Sequence, residues 1–449
     1  MKIAAADDRV DPDILGHEMY GLVSELYPIC RSITGDGLRE TLRHLQRFVP
    51  LTMHEIPTGT RVFDWTVPPE WNIRDAYVKN SRGERVIDFQ ESNLHVVSYS
   101  APVHERMRLE ELQPHLFTLP DHPDWIPYRT SYYKRNWGFC LTHKQFLELS
   151  RGEYEVCIDA SLENGHLTYG EVYLPGDTAD EVLISTHTCH PSLANDNLSA
   201  VAVACFLARS ISQLSHRYSY RFLFIPGTIG AITWLCVNES TVPRIKHGLV
   251  LAGVGDAGPL SYKRSRQGDA EIDRVAVHAL RQFGPKSQIL EFSPYGYDER
   301  QYCSPAFNLA VGRLSRSPQG TFPEYHTSAD DLSFVRPRAL GESFSACLSI
   351  FSILERNQAY LNTNPKCEPQ LGERGLYRMM GGLAEDNTNE MAMLWVLNLS
   401  DGEHGLLEIA ERAQLSFDSI YNAAGQLKEC GLLRDALSGS LFKTIEKRV

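Results

Sequence analysis

Residues 181–206, EVLISTHTCHPSLANDNLSAVAVACF, carry a β-branched apolar run, a turn rich in metal-capable side chains and an apolar helix, in that order. Val182, Leu183 and Ile184 predict a short buried strand, and Leu198 through Ala208 predict a helix opened by Asn195-Asp196-Asn197. His187, His190 and Asp196 therefore fall at the carboxyl end of a strand and just before a helix, which is where sites form in α/β sheets. Neutral imidazole together with carboxylate suits zinc, whose catalytic sites take about three protein ligands plus a water. Spacing alone leaves open a polar turn in which Asp and Asn merely cap the helix.

Outward from this stretch, residues 150–362 alternate strands and helices: YEVCIDASLENGHLTYGEVYLPG as a hairpin, EVLIS, the helix from 198, YRFLFIPG, the helix Ala231 to Val237, and HGLVLAGVGD. This order implies an α/β fold with a largely parallel central sheet covered by helices. Strands then end near His187, Gly227 and Asp256. Residues 13–49 read as two scaffold helices broken by the turn Arg31 to Gly37, in which Arg31 is either an ordinary exposed arginine, the preferred reading, or one that reaches a site. From 51 to 145 short alternating runs punctuated by proline predict a β-rich insertion, with a hairpin turning at Ser81 to Glu84. Its last part mixes Tyr128, Tyr132, Tyr133 and Trp137 with Arg129, Lys134 and Arg135, either a lid that stacks on a sugar or grips a carboxylate, or an aromatic mini-core. The expected domains are 10–50 with 146–365 for the α/β body, 51–145 for the insertion and 368–449 for a C-terminal module.

That module reads as three amphipathic helices, followed by LLRDAL and SLFKTIE as a two-stranded wing, a winged helix-turn-helix pattern. Residues 385–449 hold 6 Lys and Arg against 11 Asp and Glu, so phosphate contact would be repulsive. Dimerisation or protein contact is the preferred role for it, and nucleic acid is disfavoured for the whole chain, whose formal charge is −12. The 449 residues, 43% hydrophobic and 22% charged, have the composition of an ordinary globular protein. No run of about 18 apolar residues occurs, and the start MKIAAADDRV lacks a secretory signal, so no membrane partner and a cytoplasmic location are expected. The ten cysteines are scattered singly, which fits a reducing compartment.

A second segment far downstream, Glu324-Tyr325-His326-Thr327-Ser328-Ala329-Asp330, raises the odds of a metal. STHTCHPSLANDNLS resembles the His to Asp-Asn segment of the co-catalytic zinc aminopeptidase and carboxypeptidase superfamily, and EYHTSAD resembles its closing Tyr-His-Thr-x-x-Asp. HTCHPSLANDN, SYKRSR, DERQYCSP and PEYHTSADDL together resemble the aminopeptidase-like proteins found with bacterial polysaccharide-biosynthesis genes, over most of residues 10–360.

The resemblance implies one zinc on the first His, the Asp of the Asp-Asn pair and a later acid, and a second on the same Asp, a Glu and the final His. Matched by motif, His187, Asp196 and Asp256 fall at the first set, and Asp196 and His326 at the second, with His190 as a rival or auxiliary ligand. The superfamily strand corresponding to RFLFIPGTIG ends in Glu-Glu, a general base followed by a ligand, and here those positions are Gly227 and Thr228. One zinc per chain is therefore expected. Glu299 is the first candidate for a replacement base, ahead of Glu324, while Arg300, Tyr302 and Tyr262 are expected to orient a substrate carboxylate or oxyanion. Lys263, Arg264 and Arg266 form a positive stretch suited to an anionic substrate. The implied activity is zinc-dependent hydrolysis of an amide in a small peptide, an aminoacyl conjugate or an acylated amino sugar. The alternatives are a catalytically silent scaffold that kept the metal fold and lost the base, and a metabolite-responsive DNA regulator.

Overall fold

The computed structural model describes residues 11–318, 320–376 and 388–436. Residues up to Ser349 make one compact unit and those from Ile350 a second.

The strands Glu181–His187 and Ser219–Ile225 are buried at every position, as strands covered on both faces must be. They pair in parallel, with His187 opposite Ile225, and Glu181–His187 also pairs in parallel with Ile245–Leu251, which pairs with Val311–Ser315. The expected parallel core is thus present, at the centre of an eight-stranded sheet. One edge is antiparallel and comes from Thr52–Pro57 and His166–Leu174; the other comes from Ser261–Lys263 and Gln288–Leu290. The Ala/Val-rich helix Ala200–Ile211 packs against the central strands. Small residues set the closest helix crossing: a Cβ at Gly16 would lie 2.1 Å from the Pro337 carbonyl oxygen, and one at Gly341 2.0 Å from that of Pro12. Only glycine at both positions lets the helices Pro12–Leu26 and Pro337–Arg356 touch backbone to backbone there.

The β-rich region departs from the expected span of 51–145. Its four-stranded antiparallel sheet runs in the order Arg85–Asp88, Glu70–Lys79, Glu153–Glu163, Val103–Arg108, so a strand beyond residue 145 is its main partner. Thr52–Pro57, conversely, belongs to the large sheet. The hairpin turn at Ser81 to Glu84 lies where expected, between Glu70–Lys79 and Arg85–Asp88. Strand partnership is a tertiary choice that local alternation does not encode.

The second unit contains the three expected helices, Thr388–Leu399, Leu406–Ala413 and Phe417–Glu429. A three-stranded sheet joins them, with Ala359–Asn362 between Asp401–Gly405 and Leu433–Asp435. The expected wing strand SLFKTIE lies outside the described residues. Among the described residues, no helix is long and apolar enough to cross a membrane.

Candidate metal centre

His187 ends the buried central strand, and the chain then turns through Cys189 and His190 into Ala194–Ser199, where Asp196 and Asn197 leave helical φ/ψ. That irregular turn is tied down from three sides. Asn197 donates from Nδ2 to Thr186 Oγ1 at 2.8 Å and to the Leu251 carbonyl at 3.2 Å, and its Oδ1 accepts from the Gly253 amide at 3.0 Å. The buried Asp330 carboxylate accepts from the backbone amides of Asn195 at 2.6 Å and Asp196 at 2.9 Å. Arg31, 1% exposed, donates from Nε to the His190 carbonyl at 2.9 Å and from Nη1 to Leu26 at 2.7 Å. Burial lowers its pKa to about 10. Arg31 thus positions the loop at His190, while Asp330, the last residue of the EYHTSAD motif, does so at Asn195 and Asp196.

The result is a convergence of donors on Asp196. Its Oδ1 lies 2.9 Å from His187 Nε2, its Oδ2 lies 3.0 Å from His326 Nε2, and His190 Nε2 stands 4.0 Å from Oδ2. Ligand atoms of His187, His190 and Asp196 all fall within 4.8 Å of one another. Burial alone would raise the Asp196 carboxyl, but the surrounding imidazoles outweigh it and hold it well below the usual carboxylate range. Burial also keeps His190 neutral, the form that offers a lone pair. Three imidazoles and one ionised carboxylate, preformed and largely dry, match the donor chemistry of zinc.

Each histidine leans on a tyrosine. Tyr297 stacks on His187 at 5.2 Å, Tyr325 stacks on His326 at 4.0 Å, and Tyr128 lies 5.1 Å from both His190 and His326. The Tyr128 amide donates to the His326 carbonyl at 2.8 Å, and Pro127 bridges to Thr327, so this segment walls the centre directly. Trp137 does not join it, stacking instead on His115 at 3.7 Å.

At the next strand end, a Cβ on Gly227 would meet the His187 Cβ and Cys189 Sγ at an ordinary 3.6 Å, so side-chain space exists there and is unused by this strand. Asp298 approaches from another element: its Oδ1 accepts from the Thr228 amide at 2.6 Å. It is 2% exposed, and burial pushes its pKa up to about 6. Sequence reasoning passed over this residue for its neighbour, and nothing in YDERQYCSP distinguishes the two acids.

The other expected residues are placed as follows. Glu299 is fully buried and ion-paired, with Lys263 Nζ at 3.0 Å and Arg313 Nη1 at 3.4 Å, so two cations hold it out of the centre and the expected base is corrected. Asp256 does not converge with the histidines; it accepts from Asn195 Nδ2 at 2.9 Å, the Gly258 amide at 2.6 Å and Ser317 Oγ at 2.7 Å, and so braces the turn behind the site. Tyr262 and Tyr302 have no exposed surface and bond Asp273 at 2.9 Å and Ser185 at 2.9 Å, core contacts that leave neither hydroxyl for a substrate. The positive stretch is dispersed, because Lys263 is buried with Glu299 and Arg266 bonds Asn308 at 2.7 Å. Arg300 does border the site: Nη2 reaches Thr228 Oγ1 at 3.4 Å, and no carboxylate lies within ion-pair distance among the described residues.

With this geometry in place, likeness to known proteins follows. A model of the DUF4910 family, a domain of unknown function, matches residues 20–357, and a winged helix-turn-helix model matches 358–435. A Clostridium acetobutylicum protein named for polysaccharide biosynthesis and an aminopeptidase-like domain is 54% identical over 419 residues, 93% of this chain and 96% of that one. The chain belongs to this aminopeptidase-like family. A crystal structure of a protein from the same organism, described as a peptidase, superposes with a TM-score of 0.90 at 52% identity, covering 94% of this chain and 97% of that one. The zinc aminopeptidase of Bacillus subtilis shares the fold at a TM-score of 0.54 and 12% identity, covering 75% and 94%. The aminopeptidase-like α/β body and its C-terminal winged helix therefore stand as read from the motifs.

Proposed function

We propose that this aminopeptidase-like protein is a mononuclear zinc hydrolase acting on an amide in a small peptide, an aminoacyl conjugate or an acylated amino sugar. The observation that carries the proposal is the sharing of Asp196 between His187 on one oxygen and His326 on the other, which joins two motifs far apart in the chain. His187, Asp196 and His326 would hold the ion, with His190 the fourth donor in reach. Bound zinc supplies a Lewis acid that polarises the scissile carbonyl and lowers the pKa of water.

The chain's own groups supply the rest. Asp298, held by the Thr228 amide at the strand end that carries Gly227, takes the proton from the attacking water. A carboxylate matched to neutral pH is suited to that task. Arg300, free of a carboxylate partner among the described residues, binds a substrate carboxylate or a developing oxyanion. Tyr128 closes one side and limits access of bulk water.

One observation favours a silent metal scaffold as the second reading: four protein donors lie in reach, and four-ligand zinc sites are characteristically structural. Elemental analysis of the purified chain with His187→Ala, His190→Ala and His326→Ala separates the two. One zinc per chain, retained in His190→Ala and lost in the other two, is the expected result and leaves a coordination position open. Dependence on all four donors, with no hydrolysis across an amide library, would select the scaffold.

A further inference from the structure

The hairpin Arg61–Val62 and Trp65–Thr66 turns through two residues, Phe63 and Asp64, with Arg61 opposite Thr66 and Val62 opposite Trp65. Phe63 has φ of +54°. In a two-residue hairpin turn the first central position with positive φ is the place of glycine, because a bulky side chain there is strained. The ring gains little burial in return, since Phe63 is 44% exposed and Trp65 38% exposed. Neither folding of the hairpin nor core packing accounts for an aromatic residue held in that conformation.

The two rings instead rim a cleft of about 610 Å³. Phe307, with its ring edge-on to Phe63 at 5.8 Å, lies across it, and Ile232 and Leu309 also line it. Its charged lining residues are Asp64 and Glu239, with no Lys or Arg among them. Asp64 is fully exposed, and its ion pair among the described residues is with the surface-lying Arg61 at 3.3 Å. A volume of this order accommodates a small organic ligand. Beyond its rim, Trp65 meets Tyr133 edge-on at 5.1 Å. Gln301 lines the cleft from Glu299–Tyr302, the short helix that also carries Arg300.

We propose that this cleft is a sugar subsite, taking a neutral or amino-bearing pyranose joined to the group that reaches the metal centre. Flat C–H faces of a pyranose stack on exposed rings, and its hydroxyl or ammonium donors meet carboxylates, which are acceptors only. A phosphorylated or uronic sugar is disfavoured by the two acids. A wholly apolar ligand would strip water from Asp64 and Glu239 without replacing it. The proposal rests on the hydrolase reading for the bond that is cleaved, and within that reading it selects the acylated or aminoacylated amino sugar over a plain peptide.

The test uses the full chain and calorimetric titration with glucosamine and N-acetylglucosamine trisaccharides, with phenylalanine amide and a phosphorylated hexose as competitors. Saturable binding of a trisaccharide is expected, weakened about tenfold or more in Trp65→Ala and in Phe63→Gly. Phe63→Gly removes the ring while relieving the strained φ, so an unchanged or raised melting temperature shows that the loss is not one of folding. Sugar affinity should persist in His326→Ala, which separates this proposal from the metal reading. No saturation by either trisaccharide, affinity unchanged in both variants, or preferential binding of phenylalanine amide would overturn it. Zinc absent from a wild-type chain that still binds the sugar would overturn the hydrolase alone.

Discussion

Asp298 and Glu299 are neighbours of the same charge type placed in opposite surroundings. Glu299 points among cations inside the unit, while Asp298 meets a single backbone amide beside the histidines. Their substitutions should therefore fail differently. Asp298→Asn keeps an oxygen for the Thr228 amide, so it should retain zinc and folding and lose about 10²–10⁴-fold in turnover, read as kcat on an amide substrate the wild type cleaves. Glu299→Gln leaves Lys263 and Arg313 buried without a counter-charge and should cost about 3–5 kcal/mol in denaturant unfolding, with activity per folded molecule little changed. The reverse pattern would return the base to Glu299. Residue chemistry was readable here only to within one position, because which acid faces the centre depends on the orientation of a four-residue helix. His187, Asp196 and His326 were readable because their motifs are specific; Asp330 and Arg31 stood out in the sequence too, but their side chains bond backbone groups of the metal turn, a pairing that leaves no residue pattern on the partner to read.

Elements are held to one another by few but definable contacts. Arg39 on the helix Asp36–Leu45 grips Glu70 at the start of Glu70–Lys79, with Nη1 to Oε1 at 2.8 Å and Nη2 to Oε2 at 2.5 Å, and the His166 amide adds a third bond at 2.9 Å. The Arg39 guanidinium, ahead of the other contacts, lowers the Glu70 pKa to about 2. A depressed carboxylate stabilises the fold above its unfolded pKa and loses that contribution as pH falls through its folded value. Glu70→Gln should therefore be less stable than wild type by about 1 kcal/mol after allowance for solvent screening. Urea titrations should show that gap constant from pH 7 to about 4.5 and narrowing toward pH 2, whereas a pH-independent gap would assign the effect to packing. At the helix crossing, Gly341→Ala forces a methyl onto the Pro12 carbonyl and should destabilise by about 1–3 kcal/mol in the same assay. The parallel strands were legible because continuous apolar runs report burial on both faces. The crossing and the sheet built around Glu153–Glu163 were not, since both join residues far apart in the chain.

At the scale of the whole molecule, an aminopeptidase-like unit is followed in the chain by one whose pattern usually signals DNA contact. The charge balance argues against that use. Residues 385–449 carry 6 basic against 11 acidic side chains, and the chain as a whole is at −12. The helix Phe417–Glu429, at the position of a recognition helix, has Lys428 as its only Lys or Arg, and Asp435 engages that ammonium at 2.6 Å. A charge balance of this sign supplies little of the counterion-release free energy that drives binding to a duplex, and the expectation can be tested directly. The full-length protein should give no mobility shift with random or genomic duplex fragments at about 50 mM salt, where phosphate contacts are strongest. A shift that weakens steeply with added salt would instead show basic contacts that the charge count misses, and would revive the regulator. If none appears, protein contact is the next reading of the winged unit to test. Sedimentation of the full chain tests self-association: a dimer mass that reverts to monomer when Met391, 46% exposed on the helix Thr388–Leu399, is replaced by Glu would place that helix in the contact. A monomer at all concentrations would remove self-association and leave a different protein as the partner.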